Sequence, residues 1–136
     1  MNDFETIFKS ATVGIAMVSK KGIVLKANPA LLAFLQTTEN ELYGKNFADI
    51  THPDDVDKDV EQFEKLVCGE ISSYRMQKRY KINGHFTWGL LTVASAGEKD
   101  YVIGQVQDID GLKAIQTELR NFAYAASHDL REPLRI

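Results

Sequence analysis

Residues 74–94 constrain the fold of this 136-residue chain more than any other segment. One face of its first half is largely apolar and carries Tyr74, Met76, Lys78, Tyr80 and Ile82, which alternate with polar residues. A period of two is typical of a half-buried β-strand. The Asn-Gly pair at 83–84 is a strong hairpin signal, so the apolar run at 86–94 is predicted to return antiparallel. We therefore expect an antiparallel sheet with one buried face.

The rest of the sequence predicts three more strands and several helices. Runs at 14–18 and 23–27 form a hairpin through a turn ending at Gly22, and a last strand at 101–107 follows a turn at 97–100. Helices are predicted at 3–10, 30–35 and 38–42, with a single turn at 47–50 and a longer amphipathic helix between His52 and Gly69. This order predicts the α+β class, with one five-stranded antiparallel sheet and helices over one face.

Three short motifs carry a resemblance to the PAS sensory fold. They are Ala-Asn-Pro-Ala at 27–30 after the second strand, His-Pro-Asp-Asp at 52–55 before the long helix, and Val-Gln-Asp-Ile-Asp at 106–110. The resemblance implies a sensory PAS domain over residues 1–110. Residues 111–136 then form a second unit, a signalling helix.

The second unit has an apolar seam at steps of three and four residues, the pattern of a helix that pairs with another helix. The seam consists of Leu112, Ile115, Leu119, Phe122 and Ala126. We expect a homodimer through a parallel two-helix coil. At about 100° per residue, His128 lies roughly 200° around the helix from this seam and is predicted to face away from it.

Residues 127–135, Ser-His-Asp-Leu-Arg-Glu-Pro-Leu-Arg, resemble the phosphoacceptor box of sensor histidine kinases in two-component systems. The resemblance implies that His128 accepts the γ-phosphoryl of ATP and that Asp129 orients the imidazole and raises its nucleophilicity. It implies that Pro133 lets the helix bend. Glu132 stands where many members of the family carry Thr or Asn, so strong phosphatase activity is not expected.

On this interpretation the chain is part of a histidine protein kinase, and its phosphoryl group passes to an aspartate of a response regulator. The sequence has no Gly-rich phosphate loop or acidic magnesium cluster, so ATP and Mg²⁺ are expected to bind a separate kinase domain. The chain alone is expected to be inactive. Because it stops at Ile136, within one turn of Pro133, we also expect a longer parent protein.

The net charge and the hydrophobic pattern limit the classes of partner that this segment can bind. A net charge of −3 with no Lys/Arg cluster predicts no nucleic-acid partner, and the lack of a long apolar run predicts no membrane contact within this segment. A single cysteine, Cys68, fits the reducing cytoplasm and is predicted to fill the buried end of the long helix. The parent could still carry a membrane anchor upstream.

The sequence shows no evident cofactor. The resemblance implies that a flavin photoreceptor of this fold carries a cysteine in an Asn-Cys-Arg-type motif at the start of a mid-domain helix; Cys68 ends the long helix instead, so a flavin adduct is disfavoured. It implies that a heme sensor carries an axial histidine on or near the long helix; His52 lies in the turn before that helix, so heme is disfavoured. His85 lies beside a hairpin, and three histidines without ligand spacing predict no metal site. Should an unknown small ligand bind, the candidate pocket residues are Phe34, Phe47, Phe63, Met76, Trp88 and Leu90, although residues of these types are more often simply core.

Two further functions stay open at this point. The first is a PAS module for ligand binding or protein interaction that dimerises without phosphotransfer. The second, a transcription factor, would need a DNA-binding helix pair, and the sequence predicts none. The identity of the signal and of the response regulator cannot be read from the sequence.

Overall fold

The computed structural model describes the backbone of residues 3–131 and the side chains of residues 3–110 and 116–126. Helix α1 (Asp3–Ser10) precedes strands β1 (Gly14–Ser19) and β2 (Val24–Ala27). Helices α2 (Pro29–Leu35) and α3 (Glu39–Leu42), a 3₁₀ turn (Phe47–Ile50) and helix α4 (Pro53–Val67) follow. Strands β3 (Ser73–Ile82), β4 (His85–Ser95) and β5 (Tyr101–Asp108) then lead into helix α5 (Asp110–Arg131).

The five strands form one antiparallel sheet in the order β2-β1-β5-β4-β3. The last strand therefore lies in the centre and joins the N-terminal hairpin to the β3–β4 hairpin. Asn83 and Gly84 both have positive φ in the turn between β3 and β4, as a tight hairpin requires. The α+β class and the five-stranded sheet predicted from the sequence are confirmed.

One face of the sheet carries the hydrophobic core. The predicted alternation of β3 is confirmed, because Tyr74, Met76, Lys78, Tyr80 and Ile82 are all buried. Leu31, Leu42 and Phe63, from α2, α3 and α4, are buried in the same cluster. The helices between the two hairpins thus cover one face, and the sheet's inner side chains become the wall of an enclosed interior.

Asn28 ties the N-terminal hairpin to α2. Its Oδ1 accepts hydrogen bonds from the Ile15 N–H at 2.8 Å and the Leu31 N–H at 3.0 Å, and its Nδ2 donates to the Val13 carbonyl at 3.0 Å. The side chain is completely buried. Asn28 therefore caps α2 and fixes its start against β1.

The root of α5 is bonded to the sheet. The Ile109 N–H donates to the Trp88 carbonyl at 3.2 Å, and the Trp88 N–H donates to Asp110 Oδ1 at 3.0 Å. One residue, Ile109, separates β5 from α5, and it is itself buried. The helix therefore leaves β5 without a flexible connection.

The prediction for Cys68 is wrong. Its side chain is exposed, at the end of α4, where the chain turns away through Gly69. Phe63 and Leu66 are buried and Val67, the last residue of α4, still packs against the core, so Cys68 follows the last residue of the helix that contacts it. None of the described helices is long and apolar enough to cross a membrane.

Candidate functional site

A cavity of about 60 Å³ lies between the sheet and its covering helices. All five strands, α2 to α4 and the 3₁₀ turn contribute to its wall, which is mostly aliphatic and aromatic. Its lining includes Leu31, Phe47, Phe63, Leu91, Val93 and Val106. The volume is several times the roughly 10–15 Å³ that a single water needs. The interior therefore has room for a small molecule.

A buried ion pair forms one side of this cavity. Lys78 on β3 is 2% exposed and Asp59 on α4 is 0% exposed, and Lys78 Nζ lies 2.5 Å from Asp59 Oδ2. Lys78 also donates to Thr51 Oγ1 at 2.8 Å, and the Tyr74 hydroxyl donates to Asp59 Oδ1 at 2.8 Å. Each charge thus has two polar partners, as a buried pair requires.

Burial perturbs the protonation of these groups. Loss of solvation lowers the pKa of Lys78, and the neighbouring Asp59 carboxylate only partly offsets this. Burial and the same carboxylate hold the pKa of Tyr74 far above its ordinary value. Tyr74 therefore remains a hydroxyl donor to Asp59 across the physiological range.

Tyr80 supplies an unpaired polar atom. Among the side chains that the structure describes, its hydroxyl is the buried polar group without a hydrogen-bond partner. The Tyr80 side chain lines the cavity, and its ring meets the Phe34 ring edge-on with 5.4 Å between centroids. Burial, followed by the charge of Asp59, raises the pKa of Tyr80. The cavity wall therefore includes a tyrosine whose neutral hydroxyl has no hydrogen-bond partner among the described residues.

Gly89 on β4 makes room for the Tyr80 ring. A Cβ at Gly89 would lie 2.6 Å from Tyr80 Cε2, which is closer than two non-bonded carbon atoms can approach. The absence of a side chain at this position lets the ring lie against the sheet. Gly89 is thus a positioning residue for the unpaired hydroxyl.

The predicted pocket residues are only partly brought together. Phe47 and Phe63 line the cavity. Phe34 and Met76 lie in or against the core beside it, outside the lining. Trp88 and Leu90 do not line the cavity. Leu91 and Val93 of the same strand face it, and because successive residues of a strand point to opposite faces, Trp88 and Leu90 lie on the other face of the sheet. Trp88 instead stacks with the Arg79 guanidinium, 5.1 Å from the ring.

Sequence reasoning missed Asp59, Lys78 and Tyr80 as site residues. A signal for the first two was present. Lys78 stands on the apolar face of β3 between Met76 and Tyr80, and Asp59 stands on the apolar face of α4, three residues after Val56 and four before Phe63. A charged residue in each of two apolar faces indicates a buried pair. No local pattern distinguishes Tyr80 from any other core tyrosine.

A second polar cluster joins α4 to the edge of β3. Asp55 accepts from the backbone N–H and Nε of Arg79 through Oδ2 and from Nη2 through Oδ1. Hydrogen bonding to Arg79 lowers the pKa of Asp55. His52 caps α4, with Nδ1 accepting from the Asp54 N–H at 3.0 Å, so it is a turn residue as predicted. His85 is exposed, and within the described residues no group of three His, Cys, Asp or Glu could hold a metal ion.

The backbone of α5 is helical through His128 and Asp129, whose side chains lie outside the described residues. Two seam residues on the described part of the helix, Leu119 and Phe122, are 66% and 72% exposed, and Ala126 is exposed as well. The side chains of Leu112 and Ile115 and all of Glu132 and Pro133 also lie outside the described residues.

A five-stranded antiparallel sheet, covered on one face by helices around a small cavity, defines a domain of the α+β class. The chain belongs to the PAS fold family, whose match spans residues 2–109. It is also 40% identical over 122 residues to the probable diguanylate cyclase DgcE of Escherichia coli strain K12, over 83% of this chain. The chain spans 11% of the length of that protein.

Solved structures share the fold at low identity. A domain of a sensory box sensor histidine kinase/response regulator from Geobacter sulfurreducens has a TM-score of 0.67 and 18% identity, with 77% of this chain and 90% of that chain covered. The PAS domain of the RpfR quorum-sensing receptor from Cronobacter turicensis, in complex with BDSF, has a TM-score of 0.64 and 17% identity, with 74% and 97% covered. At these identities the likeness is one of fold.

Proposed function

We propose that the protein is the sensory and dimerisation segment of a two-component histidine kinase, with His128 as the phosphoacceptor. One observation carries the proposal: α5 runs unbroken from the sheet into the Ser-His-Asp-Leu-Arg-Glu-Pro-Leu segment, as far as Arg131. The PAS domain and His128, the phosphoacceptor of this proposal, are therefore joined by one continuous helix.

In this proposal one ring nitrogen of neutral His128 attacks the γ-phosphorus of ATP, the bond to the β,γ-bridging oxygen breaks and ADP leaves. Asp129 accepts a hydrogen bond from the N–H of the other ring nitrogen. ATP and Mg²⁺ bind a kinase domain in another part of the parent protein. The phosphohistidine then passes its phosphoryl group to an aspartate of a response regulator. Pro133 weakens the helix beyond His128 and allows it to bend.

We expect that replacing His128 with glutamine in the full parent protein abolishes autophosphorylation. Glutamine keeps a polar side chain of similar length but has no nucleophilic nitrogen. The measurement is incorporation of labelled phosphate from ATP that is stable to base and labile to acid. His85→Gln is the matched control, because His85 is an exposed histidine far along the chain from the helix, and it should retain full labelling. Undiminished labelling of the His128→Gln protein would contradict the assignment.

The dimer is the second part of the proposal. Leu119 and Phe122 expose large apolar side chains three residues apart on one helix face, which a partner helix would cover. We expect the protein to be dimeric by light scattering, and Leu119→Ser/Phe122→Ser to shift it to monomer. Thr117→Ser/Asn121→Ser changes exposed polar positions of the same helix and should leave the dimer intact. A wild-type monomer at high concentration would count against the seam.

A sensory domain with a different output is the second candidate function, and the 40% identity to a probable diguanylate cyclase supports it. In that case the PAS domain binds a ligand or a protein and its helix dimerises without phosphotransfer. The sequence beyond Ile136 in the parent protein separates the two functions. An ATP-binding domain rich in asparagine and glycine decides for the kinase.

A further inference from the structure

We propose that the cavity binds a small uncharged molecule with one hydrogen-bonding group, and that this group pairs with the Tyr80 hydroxyl. The proposal rests on the sensory function proposed above and specifies the chemical class of its signal. Lys78 and Asp59 act as fixed parts of the wall and do not bind the ligand.

The first step of the argument is the unpaired hydroxyl. A buried hydroxyl without a partner is costly, and native structures leave few of them. Tyr80 is 2% exposed and its hydroxyl meets no partner among the described residues, yet the residue lines a cavity with space to hold one. An occupant that donates to or accepts from this oxygen would remove the cost.

The second step is charge. Of the residues that line the cavity, Lys78 and Asp59 are the charged ones, and they neutralise each other within a closed set of hydrogen bonds to Thr51 and Tyr74. A carboxylate or an ammonium ligand would add an unbalanced charge to an apolar interior, which is strongly unfavourable. The cavity therefore selects an uncharged molecule.

The third step is space. Gly104 lines the cavity from β5, and a Cβ there would lie 3.8 Å from Leu91 Cδ1, in ordinary contact. Its neighbours therefore leave room for a side chain, and the glycine keeps that room open. A larger residue at position 104 would fill the cavity without disturbing the sheet.

Four probes of three or four heavy atoms, small enough for a cavity of about 60 Å³ and different in charge, test the proposal: ethanol, propane, acetate and ethylammonium. Each is titrated into the protein while amide NMR signals of cavity residues such as Val93 and Gly104 are followed. We expect saturable shifts with ethanol, and binding of both ions at least about tenfold weaker. Tyr80→Phe, which removes only the oxygen, should weaken ethanol binding about tenfold and leave propane binding unchanged.

Two further variants complete the test. Gly104→Val should abolish binding of every probe while the protein stays folded. Tyr101→Phe removes a hydroxyl from the same sheet outside the cavity lining and should change nothing. Tightest binding by either ion, an equal loss for propane and ethanol in Tyr80→Phe, or no saturable shift with any probe would overturn the proposal. The last result would mean that water alone occupies the cavity.

The same ligand separates this inference from the proposed function. Ethanol at saturation is added to the parent protein, and labelling of His128 is measured. Binding that depends on Tyr80 without any change in labelling would overturn the sensory function and leave the ligand class standing.

Discussion

Replacing Lys78 with methionine is expected to lower the free energy of unfolding by about 3–5 kcal/mol, because the change leaves the Asp59 carboxylate buried without its cation. Methionine is close in length to the lysine chain, so the effect reports the lost charge and hydrogen bonds and not a cavity. Since domains are stable by only about 5–15 kcal/mol, this is a large fraction of the total. Urea unfolding, with an unchanged dependence on denaturant concentration, measures it.

The triple variant Lys78→Met/Asp59→Leu/Tyr74→Phe removes both charges and the hydroxyl that donates to Asp59, and it should recover most of the loss, since an apolar set of similar volume is often as stable as a buried ion pair. Lys81→Met is the matched control, because Lys81 lies on the exposed face of the same strand; its effect should stay within about 0.5 kcal/mol. A loss below about 1 kcal/mol for Lys78→Met would mean that water reaches Asp59 in solution.

Replacing Asn28 with alanine is expected to cost about 3 kcal/mol. The loss of the cap on α2 contributes about 1 kcal/mol. The rest comes from the Ile15 N–H and the Val13 carbonyl, which lose their hydrogen-bond partner inside the protein, at about 1–3 kcal/mol for unsatisfied buried groups. Thermal or urea unfolding measures the change.

Thr38→Ala is the control for Asn28→Ala. Thr38 caps α3 through one exposed hydrogen bond from the Glu41 N–H at 3.3 Å, so its loss should cost no more than about 1 kcal/mol. Similar losses for the two variants would show that Asn28 acts only as a helix cap. A clearly larger loss for Asn28 would establish it as the joint between the hairpin and α2.

The sheet was predictable because its signals are local. Alternation along β3 and the Asn-Gly turn lie within about twenty residues, and each depends only on the backbone and on which side chains tolerate water. It was harder to predict which residues of β4 face the core. Trp88 and Leu90 are as apolar as Leu91 and Val93, so composition could not tell which pair faces the core.

The cavity's chemistry was not predictable because it depends on tertiary contacts. The Lys78–Asp59 pair joins β3 to α4 across nineteen residues of sequence, and only the folded arrangement shows that they meet. The unpaired hydroxyl of Tyr80 likewise appears only when every neighbour is in place. The proposed phosphoacceptor role of His128, by contrast, depends on the sequence pattern and not on tertiary contacts.

The bonded root of α5 has a mechanical consequence. The helix has 22 residues, which at 1.5 Å per residue makes a rod of about 33 Å. A tilt of about 5° at its fixed end therefore displaces its far end by about 3 Å. The strands next to the root of the rod, β4 and β5, also line the cavity through Leu91 and Gly104. A change in β4 or β5 that tilted the helix at Asp110 would therefore displace the backbone at position 128 more than it displaced the strands.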